Sequence, residues 1–162
     1  MANYNSVICS NTFEVKEECI DNIKTAISFF GESYVDSVGM AFIGAYEETL
    51  SDSLVVLIDK RDNKVLCTFD EDYQNTEDIL EDLFDEDKYP IEELKTMYLF
   101  EYIQQALRED SYVFIKEIGH EKLRYAVGCG VLITPTLIRW IDLDAMAKKV
   151  LEEETLMNRL TK

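Results

Sequence analysis

Positive charge is scarce in this chain: 16 Lys and Arg stand against 33 Asp and Glu in 162 residues, for a formal net charge of −17 at pH 7. Phosphate binding requires Lys and Arg to displace counterions, so a field of this sign repels nucleic acid and anionic membranes and favours basic partners. Only 2 prolines and 6 glycines occur. With no Pro/Gly/Ser-rich linker, no internal repeat and no low-complexity tract except an acidic one, a single domain is expected. Cys9, Cys19, Cys67 and Cys129 lie far apart without a C-x-x-C pair, which predicts reduced, mostly buried thiols. No basic segment followed by an apolar run opens the chain, and no stretch approaches the roughly 20 apolar residues of a membrane span. A cytoplasmic protein is the resulting expectation.

Catalytic signatures are missing as well. There is no G-x-S-x-G, no H-E-x-x-H and no phosphate-cradling G-x-x-x-x-G-K, so neither an enzyme nor a cofactor is expected. Calcium chemistry of the EF-hand type requires a glycine inside its acidic loop, and none occurs between Gly44 and Gly119. No metal site is expected. His120, the single histidine, admits two readings: an acid-base dyad with Glu121 or a more distant carboxylate, or a loop histidine between two strands that hydrogen-bonds the backbone. Gly128-Cys129-Gly130 reads as a bulge or a close backbone approach, and Trp140 as core.

What is present builds a core. Hydrophobic residues make up 47% of the chain, with eight Phe and nine Tyr, so the acidity does not signal disorder. Helical spacing of Cys19, Ile20, Ile23, Ile27 and Phe30 predicts a helix over residues 15–30, stopped by Gly31. Residues 38–46 read as a strand, and 54–58 with 65–69 as a hairpin turning at Asp62-Asn63. Thr76 is the expected N-cap of a short helix carrying Ile79, Leu80, Leu83 and Phe84, and Pro90 opens a second, central buried helix reaching Arg108. An antiparallel meander over 112–118, 122–127, 131–134 and 137–141 follows, with breaks at Gly119-His120 and Gly128-Cys129-Gly130. Asp142 caps a final helix to about Leu156, with Met146, Ala147, Val150 and Leu151 inward and Lys148 and Lys149 outward. The sum is an α+β fold: one compact domain of antiparallel sheets, a central buried helix and an acidic surface helix.

The acidity itself is local. Between Asp70 and Glu93 lie twelve acidic residues and one base, Lys88, whereas residues 94–162 carry ten acids and ten bases. Glu77, Asp78, Glu81, Asp82, Asp85 and Glu86 stand opposite the apolar arc of the predicted short helix, which ends at about Asp87, and Asp70, Glu71, Asp72, Glu92 and Glu93 extend the set beyond both ends. Acids at i and i+4 are about 6 Å apart along a helix axis, a scale comparable to the spacing of successive phosphates. Such a face imitates a nucleic-acid backbone toward a basic protein. Like charges at i,i+4 cost roughly 0.2–0.5 kcal/mol each on an isolated helix, so their accumulation suggests a use, the equal alternative being an ordinary solvated face that keeps the protein soluble.

The segment Gly119-His120-Glu121-Lys122-Leu123-Arg124-Tyr125, together with Thr134, Ile141-Asp142-Leu143 and the early Phe13-Glu14-Val15-Lys16, resembles a group of small proteins of unknown function from phages and conjugative elements of Gram-positive bacteria. Residues 141–147 are also similar to a short element of the acidic antirestriction proteins that imitate DNA. Neither resemblance implies a catalytic residue. Together with the acidic face they imply a mobile-element inhibitor of a host nucleic-acid-targeting defence system, of anti-CRISPR or antirestriction type, whose partner is a basic nuclease or effector complex. The alternatives are an acidic immunity-type binding module for a basic partner and a small enzyme using His120.

Overall fold

The computed structural model describes the backbone of residues 4–46, 48–83, 88–121 and 125–160, and the side chains of these except 4, 5, 83, 120, 121, 125–127, 151 and 154–160. In chain order the elements are β1 (Tyr4–Ser10), β2 (Phe13–Glu14), α1 (Ile20–Ile27), β3 (Tyr34–Val35), β4 (Met40–Phe42), β5 (Gly44–Tyr46), β6 (Leu54–Asp59), β7 (Lys64–Asp70), α2 (Thr76–Leu83), β8 (Leu94–Tyr98), α3 (Leu99–Ala106), β9 (Val113–Glu121), β10 (Tyr125–Thr134), β11 (Leu137–Asp142) and α4 (Leu143–Leu160), with 3₁₀ turns at Glu17–Cys19 and Ile91–Glu93. They form three sheets, ordered β11-β10-β9-β1-β5, β2-β4-β3 and β7-β6-β8. Among the described residues every strand pairing is antiparallel, and the fold is α+β.

The β6–β7 hairpin organises the centre. Its turn places Asn63 at φ 56°, a left-handed conformation that Asn tolerates better than most residues. All six residues of β6 are buried, because both faces of the strand are covered. Leu54, Val56 and Ile58 join the main core with Ile23, Ile27, Phe30, Leu99, Ile103, Ile115 and Val131. Val55 and Leu57 join a second cluster with Phe69, Ile79, Leu80 and Leu94. Helix α1 is tied to β7 by polar bonds: Thr68 Oγ1 donates to the Ala26 carbonyl at 2.7 Å, and the Val65 amide donates to Asn22 Oδ1 at 3.0 Å. Helix α3 is the central buried helix, with Leu99, Phe100, Tyr102, Ile103 and Ala106 all in the core.

Several elements differ from the sequence expectation. The expected helix from Pro90 to Arg108 is a strand followed by a helix: residues 94–98 pair with β6 from Leu94↔Asp59 to Tyr98↔Val55. Leu94, Met97 and Tyr98 fit helical spacing, but an open sheet edge takes up the segment, and tertiary pairing overrides local propensity. The expected strand over 38–46 is split between β4 and β5, which belong to different sheets. Gly119 and His120 do not break the meander: both lie inside β9, where His120 pairs with Asn5 on one side and Ala126 on the other. His120 is therefore a strand residue rather than a loop residue. Likewise Gly128-Cys129-Gly130 runs through β10 in unbroken register with β9, so it is a close approach and not a bulge. A Cβ on Gly130 would stand 2.7 Å from both the Ile115 carbonyl oxygen and the Phe114 ring.

Asp142 caps α4 as expected, its Oδ1 accepting the Ala145 amide at 3.0 Å. The expected inward face of that helix is not inward, since every residue from Leu143 to Val150 is exposed; Leu151 lies outside the described side chains. Trp140 is half out of the core, its ring meeting Phe100 edge-on at 5.6 Å between centroids. All four cysteines are free and half-buried. No described helix is long and apolar enough to cross a membrane.

Candidate functional site

The acidic segment begins where β7 ends. Leu54 and Asp70 are register partners, and Asp70 is bound inward: its Oδ1 accepts the Ser53 hydroxyl at 2.5 Å and the Asp72 amide at 3.1 Å, while its carbonyl accepts the amides of Tyr73 and Gln74. The Glu71 amide donates to the Ser53 carbonyl at 3.0 Å. This lattice of short bonds makes a rigid corner that turns Glu71 and Asp72 outward, both exposed.

Helix α2 follows at once. Its cap is Asn75 rather than Thr76: Asn75 Oδ1 accepts the Asp78 amide at 2.9 Å, satisfying one of the unpaired first-turn donors. Glu77 and Asp78 sit in the first turn, where the helix dipole favours negative charge. Ile79 and Leu80 are buried against Val55, Leu57, Phe69 and Leu94, which fixes the helix on the outer side of the β7-β6-β8 sheet. With that face pinned, Glu77, Asp78, Glu81 and Asp82 are exposed on the other. Among the described residues none of these acids is in an ion pair.

Asp85, Glu86 and Asp87 lie outside the described residues. Glu92 and Glu93 are described but stand elsewhere. They precede Leu94, which pairs with Asp59 at the hairpin-turn end of the sheet, whereas Asp70 and Tyr98 mark the opposite end. At the turn end the Glu93 carbonyl accepts the Lys60 amide at 2.8 Å and the Glu92 carbonyl accepts Lys60 Nζ at 2.7 Å. Arg61 pairs there with Asp59 at 2.6 Å, donates to the Lys88 carbonyl at 2.9 Å and lies over the Tyr89 ring. Hydrogen bonds from Arg61 hold the Asp59 carboxyl below its ordinary value. Glu92 and Glu93 thus belong to a charge-mixed end and Asp70 to the opposite one, while α2 packs on the face of the sheet, in the segment that leads from the Asp70 corner toward Lys88.

Two groups escaped the sequence reading. Asp52 and Tyr98 join Ser53, Glu71 and Asp72 around an open depression of about 420 Å³, and Tyr73 stands 85% exposed beside it in sequence. Asp52 lies 18 positions before Asp70, outside any acidic run. The expected hairpin already implied that residues just before Leu54 meet those just after Phe69, and extending the Leu54↔Asp70 register by two steps brings Asp52 to this corner. Tyr98 had no such signal while its segment read as helix.

Elsewhere, Glu117 is buried on the core side of β9, accepting the Leu50 amide at 2.9 Å, with Cys129 Sγ at 3.8 Å. Burial, and then the Glu117 charge, raises the Cys129 thiol, which keeps it in the unreactive protonated form. The His120 side chain lies outside the described residues. Comparison of the chain with family models, with curated proteins and with solved structures found no match.

Proposed function

We propose that this protein binds a basic, nucleic-acid-handling protein through the acidic surface running from the Asp70 corner along α2, and that it inhibits that partner by occupying the channel meant for a phosphate backbone. The observation that carries this reading is the construction of α2. Two buried residues, Ile79 and Leu80, fix its orientation, and four exposed carboxylates, Glu77, Asp78, Glu81 and Asp82, face away without an ion-pair partner among the described residues. A solubilising surface has no need of a defined orientation or of like charges stacked at i,i+4, which cost stability. The resemblance of residues 119–125 to small mobile-element proteins supports a host-defence nuclease, restriction complex or CRISPR effector as the target class, with the inhibitor acting in the host cytoplasm and without catalysis or cofactor.

Affinity capture from host lysate at low salt, followed by a salt gradient, tests the reading. A nuclease or effector subunit eluting late is expected, because steered association between opposite charges weakens steeply with ionic strength. Amide replacement of Glu71, Asp72, Asp78, Glu81 and Asp82 together should abolish both capture and inhibition; unchanged inhibition would sink the proposal. Exposed Tyr73 and Tyr98 beside the carboxylates favour a second reading, an immunity-type module that grips a basic partner without imitating nucleic acid. Excess duplex DNA separates the two: it displaces a mimic and leaves the immunity-type complex intact.

A further inference from the structure

The described parts of the acidic segment form a strap on the face of the β7-β6-β8 sheet. The segment leaves the sheet at Asp70, the register partner of Leu54, and rejoins it at Leu94, the register partner of Asp59, at the opposite end. The contact beneath it is small: Ile79 and Leu80 of α2 share one cluster with Val55, Leu57, Phe69 and Leu94. Between Asp70 and Glu93 twelve acids stand against one base, so the strap repels itself. An eight-residue helix is marginal without tertiary support. The seating of α2 therefore depends on how the two ends of the strap are held.

The Asp70 corner holds one end. At the other, the turn of the β6–β7 hairpin grips the backbone of the strap. Lys60 donates its amide to the Glu93 carbonyl and its Nζ to the Glu92 carbonyl. Arg61 takes the part nearer α2, and its aim is set by Asp59. That carboxylate belongs to a residue only 4% exposed, and burial at this level is costly unless the charge is paired. Arg61 Nε donates to Asp59 Oδ1 at 2.9 Å and Nη2 to Oδ2 at 2.6 Å, while the Arg61 amide also donates to Oδ1. A planar fork fixed on two oxygens has its remaining hydrogens aimed by that pairing. Here Nη2 donates to the Lys88 carbonyl at 2.9 Å, and the guanidinium carbon stands 5.9 Å from the centre of the Tyr89 ring. Tyr89 packs in turn against the cluster under α2.

We infer that Arg61 is a positioning residue for the acidic surface: aligned by buried Asp59, it clasps Lys88 and Tyr89 at the far end of the strap and so keeps α2 seated with Glu77, Asp78, Glu81 and Asp82 outward. Only a fork can hold the carboxylate and the carbonyl at once; a lysine ammonium is a point charge on a flexible stem. The position of Arg61 is also opposite to what charge alone would favour, because a cation beside an acidic binding surface weakens the attraction of that surface for a basic partner. The consequence for a partner rests on the function proposed above, and the clasp itself does not.

Amide hydrogen exchange on the full chain tests the clasp. Arg61→Gln, at an exposed turn position, should keep the circular dichroism spectrum and speed exchange in α2 about tenfold, with β9 and β10 unchanged. A residue that only stabilised the fold would act in the reverse sense, speeding strands that open by global unfolding and leaving α2 as it was. That pattern, or unchanged exchange throughout, overturns the inference. Arg61→Lys keeps the charge without the fork and should leave α2 as fast as Arg61→Gln does; wild-type protection in the lysine variant overturns the clasp in favour of charge alone. Binding of an oligoarginine peptide, read by fluorescence anisotropy, adds a sign. Arg61→Gln makes the chain more negative, so charge alone predicts tighter binding, whereas loss of the clasp predicts weaker binding; tighter binding overturns the role of Arg61 at the surface. If α2 loosens as expected while amide replacement of its acids leaves inhibition unchanged, the clasp stands and the functional proposal falls. Unchanged exchange in α2 removes the clasp and leaves the functional proposal standing.

Discussion

Ser53 donates its hydroxyl hydrogen to Asp70 Oδ1 at 2.5 Å, closing the open end of the β6–β7 hairpin one residue beyond the Leu54↔Asp70 register pair. The same carboxylate oxygen receives the Asp72 amide. Of the acids at the corner, Asp70 is thus committed to holding it, and Glu71 and Asp72 are left to meet a partner.

Asp70→Ala should therefore cost stability. Hydrogen bonds to a charged acceptor contribute about 1.5–3 kcal/mol, and the loss should appear as a lower urea midpoint at unchanged slope. Glu71→Gln, which removes an exposed carboxylate with no side-chain bond among the described residues, should stay within about 0.5 kcal/mol of wild type. For partner binding the order reverses at the level of direct contact: Glu71→Gln weakens it without unfolding the corner.

Glu81 and Asp82 lie in the last described turn of α2, where the helix dipole disfavours acids, and each faces a like charge four residues back, Glu77 or Asp78. Glu81→Gln with Asp82→Asn should raise stability by roughly 0.2–0.5 kcal/mol per relieved pair while reducing binding to a basic partner. Opposite movement of the two quantities, read by thermal melting and by titration calorimetry, is the outcome that marks a surface shaped for recognition. Asn75→Ala should lower stability by about 1 kcal/mol through loss of the cap.

Alkaline pH has a defined weak point. Burial, reinforced by the neighbouring Cys19, pushes the Tyr102 hydroxyl from 10.0 up to about 12, and burial pushes the Cys67 thiol from 9.0 up to about 11. Both groups stay protonated in the fold after the unfolded chain has released its protons, so stability is complete below pH 9 and declines as pH rises toward 12. Urea midpoints measured at stepped pH should show this fall. Tyr102→Phe should remove the part that begins near 10.0, leaving the earlier Cys67 contribution.

Gly128 and Gly130 separate flexible from rigid surroundings. A Cβ on Gly128 meets Leu143 Cδ1 at 2.5 Å, the end of a side chain that can swing away, whereas one on Gly130 meets the Ile115 carbonyl oxygen at 2.7 Å. Gly128→Ala should leave the melting temperature nearly unchanged while loosening the start of α4, seen as faster amide exchange there. Gly130→Ala should destabilise the sheet by about 1–3 kcal/mol, the usual range for overpacking.

The hairpin, the short acidic helix and the turn between the last two strands are legible in the sequence because each is set by local chemistry: Asp62-Asn63 between two apolar runs, a capping residue before Ile79-Leu80, and Thr134-Pro135-Thr136 between β10 and β11. Segment 94–98 was not, since Leu94, Met97 and Tyr98 satisfy a helical period and only the vacant edge of β6 makes them a strand. The glycines of β10 read as a break because their reason, close packing of Gly128 against Leu143 and of Gly130 against Ile115 and Phe114, is tertiary. Glu71, Asp72, Glu77, Asp78, Glu81 and Asp82 are visible as a run of charge, whereas Asp52 and Tyr98 reach that surface only through strand register.

Strand β6 shares its residues between two clusters, Leu54, Val56 and Ile58 in one and Val55 and Leu57 in the other. Removing α2 uncovers only the smaller cluster, so the acidic helix can detach in a local opening that leaves the main core shut. Deuterium should accordingly enter α2 long before β6, and a partner that engages the carboxylates should slow exchange in α2 alone. Seen this way, the protein carries its charged layer as a removable veneer, glued by a handful of side chains to a strand that would survive without it.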